Sequence, residues 1–393
     1  MISVEQALSI VKNNSFATSN FEIKKIQEAL GFTLFEDITS PINMPPFRQS
    51  AMDGFAININ GKKTYTIIGE IKAGDGHHPI LKIGEAVRIF TGAPVPDTAN
   101  AVVIEEKVTV ENSTLNINTE VSKNQNIRPL GEQVIKGEIA LRKGTRLNPA
   151  GLAFLSALGI EEVKVFKSPS IAVVVTGNEL VEPGQNLGYG QIYESNTAML
   201  SSALSGLGFK DISSYKVKDN FKATFDLLDE VITKHDVVLI SGGISVGDYD
   251  FVGKALNELG VEQRFYKVHQ KPGKPLFFGK KGTKSIFALP GNPAAALSCF
   301  YIYVYPTLQI MCGDKDFSLI RTTGLSQSNY VKKSGRPEFL KAIFDDGKVE
   351  ILEGQNSSML HTFALANALV YLPDNLNSIN INDNIEVILL PIN

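Results

Sequence analysis

The chain has 393 residues, of which 43% are hydrophobic and 20% are charged, and its formal net charge is −3. This balance is typical of a folded, multi-domain protein and excludes disorder over the whole chain. A near-neutral charge also excludes a broad electrostatic surface for nucleic acid or an anionic membrane, so we expect neither as a partner.

The cysteines and the N-terminus narrow the class further. Cys299 and Cys312 form no CxxC motif and stand apart from any histidine cluster, which argues against a structural zinc site and a disulfide framework. The N-terminal MISVEQALSIVKNN carries an early glutamate and no long apolar run, so no signal peptide is predicted. No segment approaches the ~20 apolar residues of a membrane span. We therefore expect a cytoplasmic protein.

The first part of the chain mixes helical patterns with a β-rich segment. Apolar residues at helical spacing predict a helix over 3–13 with Ser3 as its N-cap, and a second short helix over 22–30. Between 46 and 135, short β-rich runs separated by Gly, Pro and Asn turns predict a small β domain. The segment PAGLAFLSALGI (149–160) predicts a helix that packs back on the N-terminal helices, which would make the β domain an insertion.

From about residue 168, strand and helix patterns alternate, which predicts a three-layer α/β domain. The near-continuous apolar runs at 170–176 and 236–240 are typical of central parallel strands that are buried on both faces. The tail, 316–393, returns to short alternating strands and predicts a small barrel-like β domain. Further strands are predicted at 212–217 and 284–289, and helices at 194–207, 221–234, 249–259 and 293–310.

The predicted fold class is therefore α/β plus β, divided among four domains. These are a helical linker domain (1–45 and 136–167), an inserted β domain (46–135), an α/β domain (168–312) and a C-terminal β domain (313–393).

The loop after the strand 236–240 is the most prominent candidate site. It reads SGGISVGDYD, in which Gly242 and Gly243 let the backbone approach a phosphate or another oxyanion and turn several N–H groups towards it. Ser245 lies in the same loop, and its two aspartates, the second of which is Asp250, suit a hard cation carried with that anion. A tight glycine turn with a capping aspartate is the alternative. The GISVG pattern also matches a nucleophile elbow, but neither a following helix nor a histidine in a triad context supports that interpretation.

Two other loops are expected at the same edge of the sheet. Asn292 is a good N-cap and Pro293 fits the first helical position, so the free N–H groups of that helix would attract an anion. Gly291 permits the tight strand-to-helix turn, and a well-capped structural helix is the alternative interpretation. The strand 170–176 ends in TGNE and delivers Glu179 to the same edge.

Cationic and polar residues accompany these loops. The segment KPGKP (271–275) carries Lys271 and Lys274, either of which could neutralise an oxyanion, although simple solvation is the alternative. In the β domain, Asp53 and Thr91 lie next to rigid Pro/Gly turns, which predicts a binding surface that faces a pocket of the α/β domain.

Seven motifs together resemble one family over essentially the whole chain. In chain order they are PPFRQSAMDGFA, RIFTGAPVP, IRPLGEQVIKG, VVVTGNEL, SGGISVGDYD, KPGKP and LPGNPAA. They resemble the molybdopterin molybdenumtransferases of the MoeA family, which includes the gephyrin E domain. The resemblance implies a molybdopterin-binding α/β domain and an enzyme that inserts molybdate into adenylylated molybdopterin, releasing AMP and forming molybdenum cofactor.

The resemblance also implies a magnesium-dependent site and a homodimer in which the α/β domain of one subunit faces the β domain of the other. Glu179 and Asp250 are the expected Mg²⁺ ligands, and the ion would polarise the pyrophosphate link. The substrate supplies the dithiolene sulfurs, so no cysteine ligand is required. The family's functional positions fall here on Asp53, Thr91, Glu179, Asp219, Asp250, Pro290 and Pro293.

One departure and two alternatives accompany this hypothesis. Gln133 stands where the family commonly has Asp, which implies weaker or differently arranged catalysis if that carboxylate is needed. The α/β domain alone also resembles molybdopterin adenylyltransferases, so adenylylation of molybdopterin by ATP remains open. The gephyrin resemblance leaves a non-enzymatic scaffold open as well. The upstream adenylyltransferase is a further expected partner.

Overall fold

The computed structural model describes residues 1–244 and 251–392. The chain divides into two compact units, one of Met1–Glu22 with Phe166–Asn393 and the other of Ile23–Val165. Mixed α/β sheets and a closed barrel confirm the predicted multi-domain α/β-plus-β fold. The four-domain division is finer than the two units and stays a prediction.

The unit Ile23–Val165 is built on a six-stranded sheet. Its strands lie antiparallel to their neighbours except for Thr64–Ile71 and Glu85–Ile89, which are parallel. Alternate residues of one central strand enter different apolar clusters, Ala56 on one face and Phe55 on the other, as the two-residue period of a strand requires. The strand order across the sheet is Ala101–Ile104, Gly54–Ile57, Glu85–Ile89, Thr64–Ile71, Thr114–Ile117 and Val108–Glu111.

Shorter elements complete this region. The helix predicted at 149–160 is confirmed as Pro149–Ala157, and Asn148 caps it by accepting a hydrogen bond from the Gly151 N–H at 2.8 Å. The prediction of a helix over 22–30 is wrong. The segment forms the strand Phe21–Lys25, which pairs with Glu162–Phe166, and then one 3-10 turn. The remaining short elements are Ile26–Glu28, Ile38–Thr39, Gln49–Ser50, Glu105–Lys107, Ile127–Arg128 and Ile139–Leu141.

The larger unit contains a six-stranded, mostly parallel sheet. The four predicted strands are confirmed and are parallel neighbours, and two antiparallel strands that the sequence did not predict extend the sheet. Every residue of Ile171–Thr176 and Val237–Ser241 is buried, as their apolar sequences predict. The order across the sheet is Ile212–Val217, Ile171–Thr176, Val237–Ser241, Lys284–Leu289, Phe277–Lys281 and Glu262–Tyr266.

Helices cover both faces of this sheet. Val173 packs in one apolar cluster with Leu204, whereas its neighbour Val174 packs in another with Leu228, which confirms the three-layer arrangement. The N-terminal helix is confirmed, and Ser3 forms a capping box at its start. The helices are Val4–Asn13, Asn196–Gly206, Phe221–Lys234, Phe251–Glu258 and Pro293–Met311, and two short strands, Leu180–Val181 and Ile192–Tyr193, pair beside them.

The helix Pro293–Met311 contains a π-helical segment, Phe300–Val304. Its length and mean hydropathy of 1.3 would allow it to cross a membrane by composition alone, the one such helix in the described ranges. However, 94% of that window is buried inside the protein, so it packs as a core helix.

The C-terminal region forms a closed five-stranded barrel, as the alternating tail predicts. Leu340, Val370 and Val387 belong to the apolar cluster that fills it. The barrel order is Arg321–Ser326, Lys348–Ile351, Glu338–Asp345, Ala368–Leu372 and Asn384–Leu389, accompanied by the strand pair Tyr330–Val331 and Ser378–Ile379 and the helix Leu360–Leu365.

Candidate functional site

A pocket of about 680 Å³ opens where three neighbouring parallel strands end. The strands are Ile171–Thr176, Val237–Ser241 and Lys284–Leu289, and the loop after each one lines the pocket. This is the edge at which ligands bind in open α/β sheets. The sequence-predicted residues that line it are Glu179, Asp219, Gly242, Gly243, Pro290, Gly291, Asn292 and Pro293.

The glycine pair is required because the strand end at Thr176 and the helix residue Val252 approach this loop closely. Gly242 has φ +94°, and a Cβ there would lie 2.6 Å from the carbonyl oxygen of Thr176. Gly243 has φ +62°, and its Cβ would lie 2.6 Å from Cγ2 of Val252. Both positions therefore exclude a side chain, so the backbone itself forms this wall of the pocket. The predicted site residues Ser245 and Asp250 follow in the sequence and lie outside the described residues.

The two carboxylates in the pocket come from neighbouring loops. Thr176 donates its hydroxyl hydrogen bond to Oδ1 of Asp219, and the Asn178 N–H donates to Oδ2 at 3.3 Å. The Asp219 N–H in turn donates to Oδ1 of Asn178 at 3.2 Å, so both loops are fixed to each other. Glu179 lies in the first of these loops and lines the same pocket.

An asparagine that the sequence analysis missed joins the other two loops. Asn196 Nδ2 donates to Oγ of Ser241 and to the carbonyl oxygen of Gly291, both at 2.8 Å. A carbonyl oxygen can only accept, so the amide orientation is fixed. Its Oδ1 is buried and has no hydrogen-bond partner in the described part of the chain. The only signal in the sequence is the polar triplet ESN before a helix, which also suits an ordinary cap.

The Asn292 turn differs from its predicted form. Asn292 occupies the N-cap position, but its side chain makes no capping hydrogen bond and donates instead to Oγ of Ser357 at 3.0 Å. The backbone N–H of Ala295, in the first turn, donates to the carbonyl oxygen of Ser357 at 3.1 Å. One of the N–H groups expected to be free for an anion is therefore occupied. Ser358, the next residue, lines the pocket.

The two predicted lysines do not line the pocket. The Lys271 ammonium lies 3.1 Å from a carboxylate oxygen of Glu338, which is fully buried and also accepts from Tyr330 at 2.6 Å and Ser334 at 2.7 Å. Burial raises the pKa of Glu338, but these hydrogen bonds outweigh it, so the pKa lies below its usual value. Lys271 is thus engaged in a structural ion pair, and Lys274 is exposed. Among the described residues, no Lys or Arg lines the pocket.

The remaining predicted residues lie in the β domain. Thr91 donates from both its backbone N–H and its hydroxyl to Oδ1 of Asp53, each at 2.7 Å. These two hydrogen bonds lower the pKa of the exposed Asp53, and the one from the backbone N–H has the larger effect. Gln133 is exposed, and its backbone N–H donates to the carbonyl oxygen of Met44 at 2.8 Å.

The pocket offers ligands that suit magnesium. Mg²⁺ prefers oxygen ligands and is usually held by one or two carboxylates together with substrate phosphates. Glu179 places a carboxylate beside the glycine-formed wall, where a substrate phosphate would lie, and this fits that pattern. Asp219 lines the same pocket, but both of its oxygens already accept hydrogen bonds from Thr176 and Asn178. Within residues 1–244 and 251–392, no three His, Cys, Asp or Glu side chains are grouped so as to hold a metal ion.

Known protein families and curated relatives match nearly the whole chain. Residues 2–159 match the MoeA N-terminal region (domain I and II), 172–310 a probable molybdopterin binding domain, and 324–390 the MoeA C-terminal region (domain IV). The chain is 33% identical to a molybdopterin molybdenumtransferase of Haemophilus influenzae over 98% of both chains. It is 31% identical to the Staphylococcus aureus (strain MSSA476) protein of that name over 99% of this chain and 95% of the relative. The crystal structure of a molybdopterin biosynthesis MoeA protein from Pyrococcus horikoshii OT3 superposes with a TM-score of 0.85 at 27% identity, covering 99% and 100% of the two chains.

Proposed function

We propose a reaction for this chain from the premise that it belongs to the MoeA family of molybdopterin molybdenumtransferases and is a transferase of molybdenum cofactor biosynthesis. The reaction is the magnesium-dependent insertion of molybdate into adenylylated molybdopterin, with release of AMP. The pocket at the strand ends carries the proposal, because it combines a backbone wall with two carboxylates, of which Asp219 is fixed by hydrogen bonds.

Each wall of the pocket has its own task in this proposal. Gly242 and Gly243 let the pyrophosphate of the substrate lie against the backbone, since no side chain intervenes. Asn196 keeps that loop and the Gly291 turn at a fixed separation, so the substrate meets a preorganised surface. A volume of about 680 Å³ lies within the range of small-molecule sites.

The carboxylates act on the bond that breaks. When bound, magnesium would polarise the phosphoanhydride link as a Lewis acid. Glu179 is the proposed ligand among the described residues. The family resemblance adds Asp250, which lies outside the described residues, as the second proposed ligand. Asp219, fixed by Thr176 and Asn178, orients the water whose oxygen AMP gains as the link breaks.

The buried Cys299 fits a substrate that brings its own sulfur ligands. Burial raises the pKa of Cys299 to about 12, so its thiol stays protonated at neutral pH. A protonated thiol is a poor metal ligand. In the proposal, molybdenum therefore binds the dithiolene sulfurs of the pterin.

The proposed assembly is a cytoplasmic homodimer in which the β domain of the partner supplies Asp53 and Thr91 to the pocket. The adenylylated substrate comes from an upstream adenylyltransferase, which is a proposed partner.

The experiment supplies purified protein with adenylylated molybdopterin, molybdate and Mg²⁺ and measures AMP release and active cofactor. We expect turnover that stops when EDTA removes the metal and returns when Mg²⁺ is restored. No AMP release in the complete mixture would contradict the proposal. Turnover of Mg²⁺-ATP with unmodified molybdopterin would instead support the adenylyltransferase alternative.

A further inference from the structure

A buried lysine of the C-terminal barrel holds the loop 353–359 from inside. Lys341, on the strand Glu338–Asp345, is only 4% exposed. Its Nζ donates to three main-chain carbonyl oxygens, those of Gly354 at 2.7 Å, Met359 at 3.0 Å and Asn356 at 3.4 Å. Three main-chain carbonyl groups of this loop therefore accept hydrogen bonds from one ammonium group, and that of Asn356 also accepts from the Met359 N–H at 3.1 Å.

The main chain of the same residue binds the loop a second time. The Lys341 N–H donates to Oε1 of Gln355 at 2.9 Å, and Nε2 of Gln355 donates to the Lys341 carbonyl oxygen at 2.8 Å. Burial lowers the pKa of Lys341 to about 8, because an ammonium group loses hydration here. An apolar residue would avoid that cost but would remove the side-chain donor that Gly354, Asn356 and Met359 share.

The loop reaches the substrate pocket through two serines. Ser357 accepts hydrogen bonds from Asn292 Nδ2 at 3.0 Å and from the Ala295 N–H at 3.1 Å, and Ser358 lines the pocket. The carbonyl groups that Lys341 holds lie on both sides of this serine pair in the sequence. The lysine thus fixes the two ends of the segment that contacts the Asn292 turn.

We propose that Lys341 is a positioning residue for the pocket: it fixes the loop 353–359 and thereby places Ser357 and Ser358 against the Asn292 turn. The role in turnover rests on the proposed function, whereas the hold on the loop does not.

The chain provides a matched control in a second buried lysine. Lys280 is 6% exposed, and burial lowers its pKa to about 8 as well. Its Nζ donates to the carbonyl oxygen of Thr283 at 2.9 Å and to Oγ of Ser285 at 3.0 Å. These partners lie at the beginning of the strand Lys284–Leu289, whereas the pocket lies beyond its end.

The experiment compares Lys341→Met and Lys280→Met in the full chain by amide hydrogen exchange and by the kinetics of AMP release. In Lys341→Met we expect exchange over 353–360 and at Ala295 to accelerate at least about tenfold. We expect KM for adenylylated molybdopterin to rise about fivefold or more while kcat stays within about twofold. Lys280→Met should leave the exchange of both segments, KM and kcat unchanged.

Each contrary outcome has its own meaning. Unchanged exchange at 353–360 or Ala295 in Lys341→Met would overturn the proposal, and so would faster exchange with an unchanged KM. Wild-type protein that releases no AMP would overturn the proposed function, while the exchange at Ala295 would still decide whether Lys341 holds the loop. If Lys341→Met does not fold, Lys341→Gln is measured in the same way. Failure of both to fold while Lys280→Met folds would make Lys341 a residue of barrel stability and overturn the positioning role.

Discussion

Asp219 in the α/β domain and Asp53 in the β domain are held in similar ways but are left with different freedom. In each case a threonine near the end of a strand donates its hydroxyl to the carboxylate, and a backbone N–H donates as well. Asp53 takes both hydrogen bonds on Oδ1. Asp219 takes one on each oxygen.

This difference means that the Asp219 carboxylate is fixed at both oxygens, whereas Asp53 has one oxygen that Thr91 does not hold. With both oxygens engaged, Asp219 is locked between the Thr176 and Asn178 donors, which suits a group that orients a small reactant. Asp53 is exposed, and both hydrogen bonds from Thr91 reach the same carboxylate oxygen. We therefore expect changes at Asp219 to affect the chemical step and changes near Asp53 to affect its protonation.

The sharpest test of the comparison is Asp219→Asn. The amide can keep both contacts, because its Oδ1 accepts from the Asn178 N–H and its Nδ2 donates to the Thr176 hydroxyl oxygen. Only the negative charge is lost, so we expect the rate of AMP release to fall at least about 100-fold with the fold intact. The measurement is kcat together with the thermal midpoint.

Asp226→Asn is the matched control for that variant. Asp226 lies on the exposed side of the helix Phe221–Lys234, where it pairs with Lys222 at 3.1 Å. An exposed pair of this kind contributes little, about 0.5 kcal/mol, so kcat and the thermal midpoint should hardly change. If Asp219→Asn kept wild-type kcat, Asp219 would be a brace between two loops and the contrast with Asp53 would disappear.

A smaller effect is expected from alanine substitutions at one glycine of the α/β domain and one of the β domain. Gly242 and Gly92 both have positive φ, at +94° and +83°. A Cβ at Gly242 would lie 2.6 Å from the Thr176 backbone, whereas at Gly92 the nearest atom is 4.0 Å away. We expect Gly92→Ala to cost about 1 kcal/mol of stability from backbone strain alone. Gly242→Ala should cost about 3 kcal/mol and lower kcat/KM about tenfold, because the wall of the pocket must shift.

The pair is measured by thermal unfolding and by the kinetics of AMP release. Equal losses in the two variants would mean that the Gly242 loop yields without disturbing Thr176. The close packing around Gly242 would then add no cost to an alanine substitution beyond the backbone strain that Gly92→Ala also causes.

The central strands could be predicted from sequence because burial on both faces leaves an unmistakable apolar run. Ile171–Thr176 and Val237–Ser241 illustrate this. The antiparallel strand Phe277–Lys281 was missed, since its FFGKK sequence has neither alternation nor a long apolar run. At 22–30, helical spacing of apolar residues misled the prediction, because pairing with Glu162–Phe166 imposes an extended backbone on a short segment.

In the candidate site too, residues with a local sequence signature could be predicted, and residues that depend on distant partners could not. Glycines and strand-end carboxylates have local signatures, so Gly242, Gly243 and Glu179 could be placed at one edge from sequence. Asn196 could not, because its importance depends on partners 45 and 95 residues away in the chain. The Lys271 ion pair was missed for the same reason, since Glu338 belongs to the barrel.

The smallest expected effect concerns the hydroxyl of Thr91. Thr91→Val keeps the β-branched shape and the backbone N–H bond to Asp53 and removes only the second donor. Since both hydrogen bonds lower the pKa of Asp53, its pKa should rise in the variant. The measurement is a carboxyl-carbon NMR titration of Asp53, with Thr98→Val as control because the Thr98 hydroxyl instead accepts from the Leu81 N–H at 2.8 Å.

The direction of this shift decides how Asp53 enters the reaction. A carboxylate whose pKa is lowered in the folded protein contributes stability above its unfolded pKa and loses that contribution as the pH falls through its folded pKa. Because Thr91→Val raises the folded pKa of Asp53, it brings the folded and unfolded pKa values closer together, and the pH range between them becomes narrower. If turnover needs ionised Asp53, the acidic limb of the kcat/KM profile must move to higher pH along with the NMR titration. A titration that moves while the kinetic limb stays in place would show that turnover does not need the charge of Asp53, and Asp219 would remain as the carboxylate that acts on the chemical step.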